Sequence, residues 1–194
     1  MIPLKNLEVY DVILASKSPR RKQLLEELGI KFRVEIMDVD ESFPEQMNAA
    51  DIPIFLAEKK AYEFQERLND NELVITADTI VAQEGRVLNK PGDAAHAREM
   101  LNHLSGKKHQ VYTGVCILSK SKKVSFLAST DVWFKDLSCE EIDYYIEHYK
   151  PFDKAGAYGI QEWIGYIGIH RIDGSYFNVM GLPVQQLYEH LEAF

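Results

Sequence analysis

The sequence predicts a mixed α/β fold, because short apolar runs that are typical of buried strands alternate with segments of helical periodicity along most of its 194 residues. Its composition, with 46% hydrophobic and 27% charged residues, is typical of a globular protein. A chain of this length buries enough surface to fold without disulfides or a structural metal. We therefore expect one domain over residues 1–194, with one lobe or two.

The first elements are a strand, a helix and a second strand. The strand covers 12–15, and the helix begins at Ser18-Pro19, since serine is a good N-cap and proline fits the first helical turn. Leucines recur at helical spacing in this helix, and Gly29 ends it. The second strand covers 30–36.

An acidic stretch, 38–41, leads to a longer helix. Asp51 is expected to cap that helix, which covers about 52–68. The residues on or near its apolar face are Ile52, Phe55, Leu56 and Tyr62. A continuous apolar run over 73–82 then predicts a third strand, which Asp78 interrupts.

The rest of the chain continues the alternation of strands and helices. In order, it predicts a turn at Glu84-Gly85, a helix over 93–104, strands over 110–118 and 124–134, a helix from the capping box at Ser138 to before Pro151, a strand over 166–172 and a last helix from Pro183. The alternation in the two long strands predicts an antiparallel pair with one wetter face. The sheet is therefore expected to be mixed, with a cleft between two lobes.

Charge and cysteine content argue against several classes of protein. A formal charge of −8 argues against nucleic acid as the main partner, because that binding depends on clustered lysine and arginine. No run approaches the ~18 apolar residues of a membrane helix, and residues 1–10 lack the apolar core of a signal peptide. Cys116 and Cys139 fit no metal spacing, so reduced thiols in a cytoplasmic protein are expected.

A candidate phosphate site extends from Ser16 to Arg21, between the first strand and the first helix. The first turn of a helix offers unpaired backbone N–H groups and partial positive charge. Arg20 and Arg21 add positive charge there, against the helix dipole, and a bound phosphate would offset it. The alternative is a capped surface helix with two solvated arginines, and spacing alone leaves the two interpretations equal.

Asp78 is a candidate catalytic residue because it places a carboxylate inside an apolar strand. An unpaired buried charge is costly, so this side chain should have a metal, a basic partner or a cleft. Since buried strand carboxylates are also sometimes structural, the residue alone supports both roles equally. Lys60 and Lys90 are further basic sites, although single surface lysines are common. The glycines of the segment 152–161 allow either close approach to a flat base or a tight turn.

Several motifs, taken together and in order, resemble one known family. They are Ala15 to Arg21, Ala77 to Val81, Leu88 to Pro91, Thr113 to Val115, Lys154 to Gln161, Gly174 to Tyr176 and Gly181 to Pro183. This combination resembles the Maf-like nucleotide pyrophosphatases over about residues 12–192. Each motif alone is of moderate specificity, whereas the ordered set is highly specific.

The resemblance implies hydrolysis of a nucleoside triphosphate to monophosphate and pyrophosphate with a divalent metal, Mg²⁺ or Mn²⁺. It also implies an elongated mixed sheet flanked by helices, in two lobes around a cleft, similar to inosine triphosphatase. The form of the segment from Lys154 to Gln161 is similar to the branch that acts on dTTP and UTP, and differs from the sister branch that prefers 7-methyl-GTP. A homodimer is a further expectation for this family.

The resemblance also implies roles for individual residues. Asp78 matches the proton acceptor of the family. Substrate choice is associated with Arg20, Thr79 and Gln161, and the other matching active-site positions are Ser16, Glu41, Lys60 and Lys90. We expect Thr79 and Gln161 to recognise the base, and Glu41 with Asp78 to bind the metal. The triphosphate is expected to contact Ser16, Arg20, Lys60 and Lys90.

The sequence departs from the family pattern at Glu162, where many relatives have glycine, so the base preference is less fixed than the reaction. The alternatives are a non-catalytic nucleotide-binding module, such as a septation regulator, a nucleotidyltransferase and a 7-methyl-GTP pyrophosphatase. Asp78 in its strand near basic groups favours an enzyme, and we recognise no binding signature for the acceptor that a transferase needs.

Overall fold

A computed structural model describes residues 4–194. The strands are β1 (Asp11–Leu14), β2 (Phe32–Val34), β3 (Glu72–Gln83), β4 (Arg86–Leu88), β5 (Lys108–Ser119), β6 (Lys123–Phe134) and β7 (Ile169–Asp173). The α-helices are α1 (Pro19–Glu27), α2 (Ile52–Gln65), α3 (Ala94–Leu104), α4 (Cys139–Tyr149), α5 (Trp163–Gly168), α6 (Tyr176–Met180) and α7 (Val184–Glu192). Short 3₁₀ helices cover Lys5–Val9 and Ala155–Ala157.

The seven strands form one mixed sheet. Its order is β2-β1-β3-β5-β6-β7, and β4 pairs with β3 outside this path. Strand β1 runs parallel to both β2 and β3, whereas β4 is antiparallel to β3 and β7 is antiparallel to β6. The expected mixed sheet with flanking helices is therefore confirmed.

The chain divides into two compact units. Unit 1 contains the residues up to Asp78, Thr113–Ala128 and Gly181–Phe194, and unit 2 contains Thr79–Tyr112 and Ser129–Met180. The division falls inside β3, between two of the predicted site residues. The cleft between two lobes stays a prediction.

The core of unit 1 forms where α2 packs on the sheet. Its buried residues are Ile13, Ala57, Ala61, Phe64, Leu68, Val74, Cys116 and Leu118. The hydroxyl of Thr76 is buried in the same unit and donates a hydrogen bond of 2.7 Å to Ala57 O. Strand β5 comes so close to α2 that a Cβ atom on Gly114 would collide with the backbone of Pro53 and Ile54. This close packing explains the glycine of the Thr113-Gly114-Val115 motif.

Unit 2 has its own core, which α3, α4 and the segment 157–164 share with the strands. Its largest buried residues include Leu88, Leu101, Leu104, Phe134 and Tyr145. His109 is also fully buried, and its Nε2 atom lies 2.7 Å from Tyr158 Oη. Burial lowers the pKa of His109 to about 3, so the imidazole is neutral at physiological pH.

Several helix ends follow the predicted chemistry. Ser18 caps α1 by accepting a hydrogen bond from Arg21 N at 3.3 Å. Ser138 and Glu141 form the predicted capping box of α4. That helix ends at Lys150, in the left-handed conformation, directly before Pro151. Of the helices within residues 4–194, none is long and apolar enough to cross a membrane.

Three local predictions were wrong. The residues expected to begin a strand at 166 belong instead to α5, and β7 begins only at Ile169. Asp51 stands before α2 but its side chain does not cap the helix; it accepts from Asn48 Nδ2 at 3.1 Å. Phe55 and Tyr62 are exposed on α2, because that helix buries a narrower face than its apolar residues indicate.

The long hairpin also differs from its predicted form. Strand β6 alternates between buried and exposed residues over its second half, as expected. Strand β5 is buried at every position from 113 to 119, so neither of its faces is exposed to water there, and α2 covers it at Gly114. The wetter face predicted for both strands is therefore confined to β6 and the first residues of β5.

Candidate active site

The carboxylate of Asp78 lies where β3 leaves unit 1. Residues 73–77 of this strand are buried, and the Asp78 side chain is only 13% exposed. Its Oδ1 atom accepts a hydrogen bond of 2.6 Å from Lys60 Nζ. The sequence predicts a metal, a basic partner or a cleft beside this carboxylate, and the structure shows that Lys60 is a basic partner.

Lys60 joins Asp78 to a second carboxylate. Its Nζ atom lies 2.6 Å from Asp78 Oδ1 and 2.8 Å from Glu41 Oε1. The Lys60 side chain is 16% exposed and that of Glu41 is 50% exposed, so water screens the outer ion pair more than the inner one. We call Glu41, Lys60 and Asp78 the Lys60 cluster. It brings together three predicted site residues that lie far apart in sequence.

The acidic stretch before α2 is held by further lysines. Lys17 Nζ lies 2.8 Å from Asp38 Oδ1, and Lys59 Nζ lies 3.0 Å from Asp40 Oδ2. Hydrogen bonds from Ser42 and Lys59 lower the pKa of Asp40 to about 2. The neighbouring residues Lys59 and Lys60 thus contact different carboxylates, and only the contacts of Lys60 reach Asp78.

Arg21 ties the start of α1 to the backbone beside Asp78. Its Nε atom donates to Gly181 O at 2.8 Å, and its Nη1 atom donates to Ala77 O at 2.9 Å. The same Nη1 atom is 3.4 Å from Ser16 Oγ. The interpretation of a solvated side chain was wrong for Arg21, because its donors bind carbonyl oxygens within unit 1. Phosphate binding by this segment stays a prediction.

Charged side chains from several parts of unit 1 lie near the Arg21 guanidinium. Burial lowers the pKa of the Arg21 guanidinium, and the negative charge of Asp78 opposes that shift. The charges of Arg20 and Glu41 also act on it, in opposite directions. Three cations and two carboxylates, including the Lys60 cluster, therefore lie close together in unit 1.

Ser16 belongs to the same region through backbone and side-chain contacts. Its hydroxyl oxygen accepts a hydrogen bond of 3.2 Å from Ser18 N, at the N-terminus of α1. Ser16 and Arg20 are both half-buried. The structure thus places these two of the four predicted phosphate contacts at the start of this helix, close to Arg21. Their role in phosphate binding stays a prediction.

The carboxylates of Glu41 and Asp78 are oxygen ligands of the type that Mg²⁺ prefers. Glu41 and Asp78 each place a carboxylate oxygen within 2.8 Å of one point, the Nζ atom of Lys60. Mg²⁺ is usually bound by one or two carboxylates together with waters and substrate phosphates. Among residues 4–194, no group of three or more histidine, cysteine or acidic side chains could hold a metal alone. Glu41 and Asp78 would therefore supply two ligands to such an ion, and waters and substrate phosphates would supply the others.

The other three predicted residues belong to unit 2. Thr79 follows Asp78 on β3 and is half-buried, and Lys90 is exposed in the loop after β4. Gln161 is half-buried, and its Oε1 atom has no hydrogen-bond partner among residues 4–194. An unpaired buried amide oxygen is uncommon and costs free energy. It fits the predicted role of Gln161 in binding a ligand donor.

The glycine-rich segment packs against β3 and the Lys90 loop within unit 2. Gly156 has φ 68°, and a Cβ atom there would lie 2.9 Å from Val81 Cγ2. Its N–H donates a hydrogen bond of 3.3 Å to Asn89 O, next to Lys90. Close packing and a positive φ therefore account for this glycine, and the tight-turn interpretation applies to it.

Comparison with protein families gives a match over almost the whole chain. The family model described as Maf-like protein matches residues 11–194. The chain is 55% identical over 190 residues to the dTTP/UTP pyrophosphatase of Phocaeicola vulgatus, covering 97% of this chain and 98% of that protein. A protein of the same name in Bacteroides fragilis is 52% identical, covering 97% of this chain and 98% of that protein. Another, in Parabacteroides distasonis, is 51% identical, covering 98% of this chain and 100% of that protein.

A solved structure shares the fold at low sequence identity. The Ham1 protein of Staphylococcus aureus aligns with a TM-score of 0.53 and 16% identity, covering 94% of this chain and 98% of that chain. At this identity the likeness shows the fold alone. It supports the predicted fold, a mixed sheet flanked by helices.

Proposed function

The chain belongs to the Maf-like family, and on that premise we propose that it hydrolyses dTTP and UTP to the nucleoside monophosphate and pyrophosphate. The observation that carries this proposal is the identity of 51–55% over nearly the full length with proteins named dTTP/UTP pyrophosphatase. The chain is therefore an enzyme, a nucleoside triphosphate pyrophosphatase.

We assign the proton transfer to Asp78. In the reaction, a water oxygen bonds to the α-phosphorus while the bond from that phosphorus to the bridging oxygen breaks. The Asp78 carboxylate accepts the water proton, and the bridging oxygen leaves with pyrophosphate. A carboxylate that accepts a hydrogen bond of 2.6 Å from Lys60 and is still 13% exposed supports this role, because water can reach it.

The cationic residues would bind the triphosphate and stabilise the leaving pyrophosphate. Lys60 and Arg20 belong to the charged region around Asp78, with Ser16 beside them. Lys90 is a further proposed contact of the triphosphate. Phosphate charge is neutralised best by groups that are already positioned before the reaction, so the fixed Lys60 ammonium suits this role.

A divalent cation, Mg²⁺ or Mn²⁺, would be bound by Glu41 and Asp78 and would neutralise charge on the phosphates when present. We assign base recognition to Thr79 and Gln161. The carbonyl oxygen of Gln161 is an acceptor, and thymine and uracil both carry an N–H donor on their pairing edge. We also propose a single domain with two lobes around a cleft, a homodimer and a cytoplasmic location.

Pyrophosphate release from a panel of nucleotides tests the proposed function. The panel contains dTTP, UTP, CTP, 5-methyl-UTP, 7-methyl-GTP and the standard purine triphosphates, each with and without Mg²⁺ or Mn²⁺. We expect the fastest release from dTTP and UTP, in the presence of metal. Binding of these nucleotides without release would instead support a non-catalytic module, and preference for 7-methyl-GTP would move the chain to the sister branch.

A further inference from the structure

Gln161 lies in a tight turn whose ends are hydrogen-bonded to each other. Glu162 N donates to Gly159 O at 3.0 Å, so residues 160 and 161 form the corner of the turn. The unpaired and buried Oε1 atom of Gln161 is costly in this position. Other contacts must therefore hold the turn in the conformation that buries this atom.

Tyr145 connects both ends of the turn. Its hydroxyl donates a short hydrogen bond to Glu162 Oε2 and accepts one of 3.0 Å from Gly159 N. The Tyr145 side chain is fully buried on α4. Burial, together with the hydrogen bond to Glu162, raises the pKa of this phenol. The hydroxyl thus stays protonated and remains a donor to the carboxylate at any physiological pH.

Lys154 holds the other oxygen of Glu162. Its Nζ atom lies 3.1 Å from Glu162 Oε1 and 2.8 Å from Asp153 Oδ1, and its side chain is only 8% exposed. The pair fills the space beside Gly159, where a Cβ atom would lie 2.9 Å from Glu162 Cδ and 3.0 Å from Lys154 Cε. Any residue larger than glycine at 159 would therefore displace the carboxylate.

We propose that Glu162, held by Tyr145 and Lys154, is a positioning residue for Gln161 and sets how tightly this enzyme binds its pyrimidine substrates. We call these three residues the Glu162 clamp. The inference rests on the proposed function, since it assigns to Gln161 the contact with the base. A glycine at position 162 could not make these contacts, so the clamp depends on the glutamate that this chain carries there.

The test compares Tyr145→Phe and Glu162→Gln with Tyr149→Phe. Tyr145→Phe removes the hydroxyl that joins the two ends of the turn, and Glu162→Gln removes the charge that faces Lys154. Tyr149→Phe is the matched control, because Tyr149 stacks on Tyr145 in the same helix, at 5.1 Å between ring centroids, and makes none of the clamp contacts described above. Thermal unfolding establishes that each variant is folded.

We expect both clamp variants to raise KM for dTTP and UTP about tenfold, less than the ~100-fold loss that a 1 Å misplacement can cause. Their kcat should stay within about twofold of the wild type, since the Lys60 cluster is unchanged. A merely structural role would lower kcat through the active fraction and leave KM unchanged. The proposal is overturned if the folded clamp variants keep the KM of Tyr149→Phe. If the wild type releases no pyrophosphate from any triphosphate, the proposed function itself fails, and the clamp with it.

Discussion

Lys60→Met removes the ammonium group that lies between Asp78 and Glu41 while keeping most of the aliphatic side chain. The inner carboxylate is then left without its partner at 2.6 Å in a site where it is only 13% exposed. Removing one partner of a buried ion pair costs about 3–5 kcal/mol. Residual exposure and the nearby Arg21 reduce this cost, so we expect a loss of about 3 kcal/mol in the free energy of unfolding.

A loss of this size is measurable by thermal unfolding. For a chain of this length, each kcal/mol shifts Tm by about 2–4 °C, so Lys60→Met should lower Tm by about 6–12 °C at neutral pH. Lys59→Met is the matched control, since it is the neighbouring lysine and its partner Asp40 is 70% exposed. Its Tm should stay close to that of the wild type. Equal shifts in the two variants would refute the reasoning that Lys60 compensates a buried charge.

Three further predictions concern other groups. Arg21→Lys should lower the free energy of unfolding by about 1–3 kcal/mol in urea titrations, because one ammonium cannot replace a fork that donates to two carbonyls; a wild-type midpoint would contradict the tie to Ala77 and Gly181. His109 should stay neutral down to pH 5 in side-chain ¹⁵N NMR. Since the unfolded state binds a proton near pH 6.5 and the folded state only near pH 3, this group should lower stability by about 1.4 kcal/mol per pH unit as the pH falls between these values, and a titration above pH 6 would count against its burial. Gln161→Ala should slow pyrophosphate release from dTTP and UTP by about tenfold or more and affect other triphosphates less; a uniform loss would contradict base recognition.

The alternation of elements could be predicted from the sequence where local chemistry determines it. Ser18-Pro19 and the box at Ser138 supply helix caps that need no tertiary contact, and both helices begin there. The segment that became α5 has no such signal. It contains aromatic and β-branched residues that also suit a strand, and its helical form depends on packing, since a Cβ atom on Gly165 would collide with Ile160 O.

The candidate site could be predicted only in part. Asp78 was identifiable because a carboxylate inside an apolar strand requires a partner. Its partner was not identifiable from spacing, since Lys59 and Lys60 are equivalent in sequence and only the turn of α2 directs one of them to Asp78. The position of Glu41 followed from the family resemblance, and the structure places it on the same ammonium.

The contacts of Arg21, Tyr145 and Glu162 were missed for a physical reason. Each depends on a backbone carbonyl or a buried hydroxyl that comes from a distant part of the chain. Two adjacent arginines look alike in a sequence, and only the folded chain shows that Arg21 binds carbonyls. The one available signal for the clamp was the departure from the family pattern at Glu162.

Pyrophosphate release by Asp78→Asn tests the central claim most directly. Asparagine keeps the size of the side chain and an oxygen for Lys60, but it cannot accept the proton from water. We expect release from dTTP and UTP to fall by about 10²–10⁴-fold, with Tm close to the wild type and with Asp40→Asn, an exposed carboxylate paired to Lys59, remaining active. Near-normal release by folded Asp78→Asn would contradict the account.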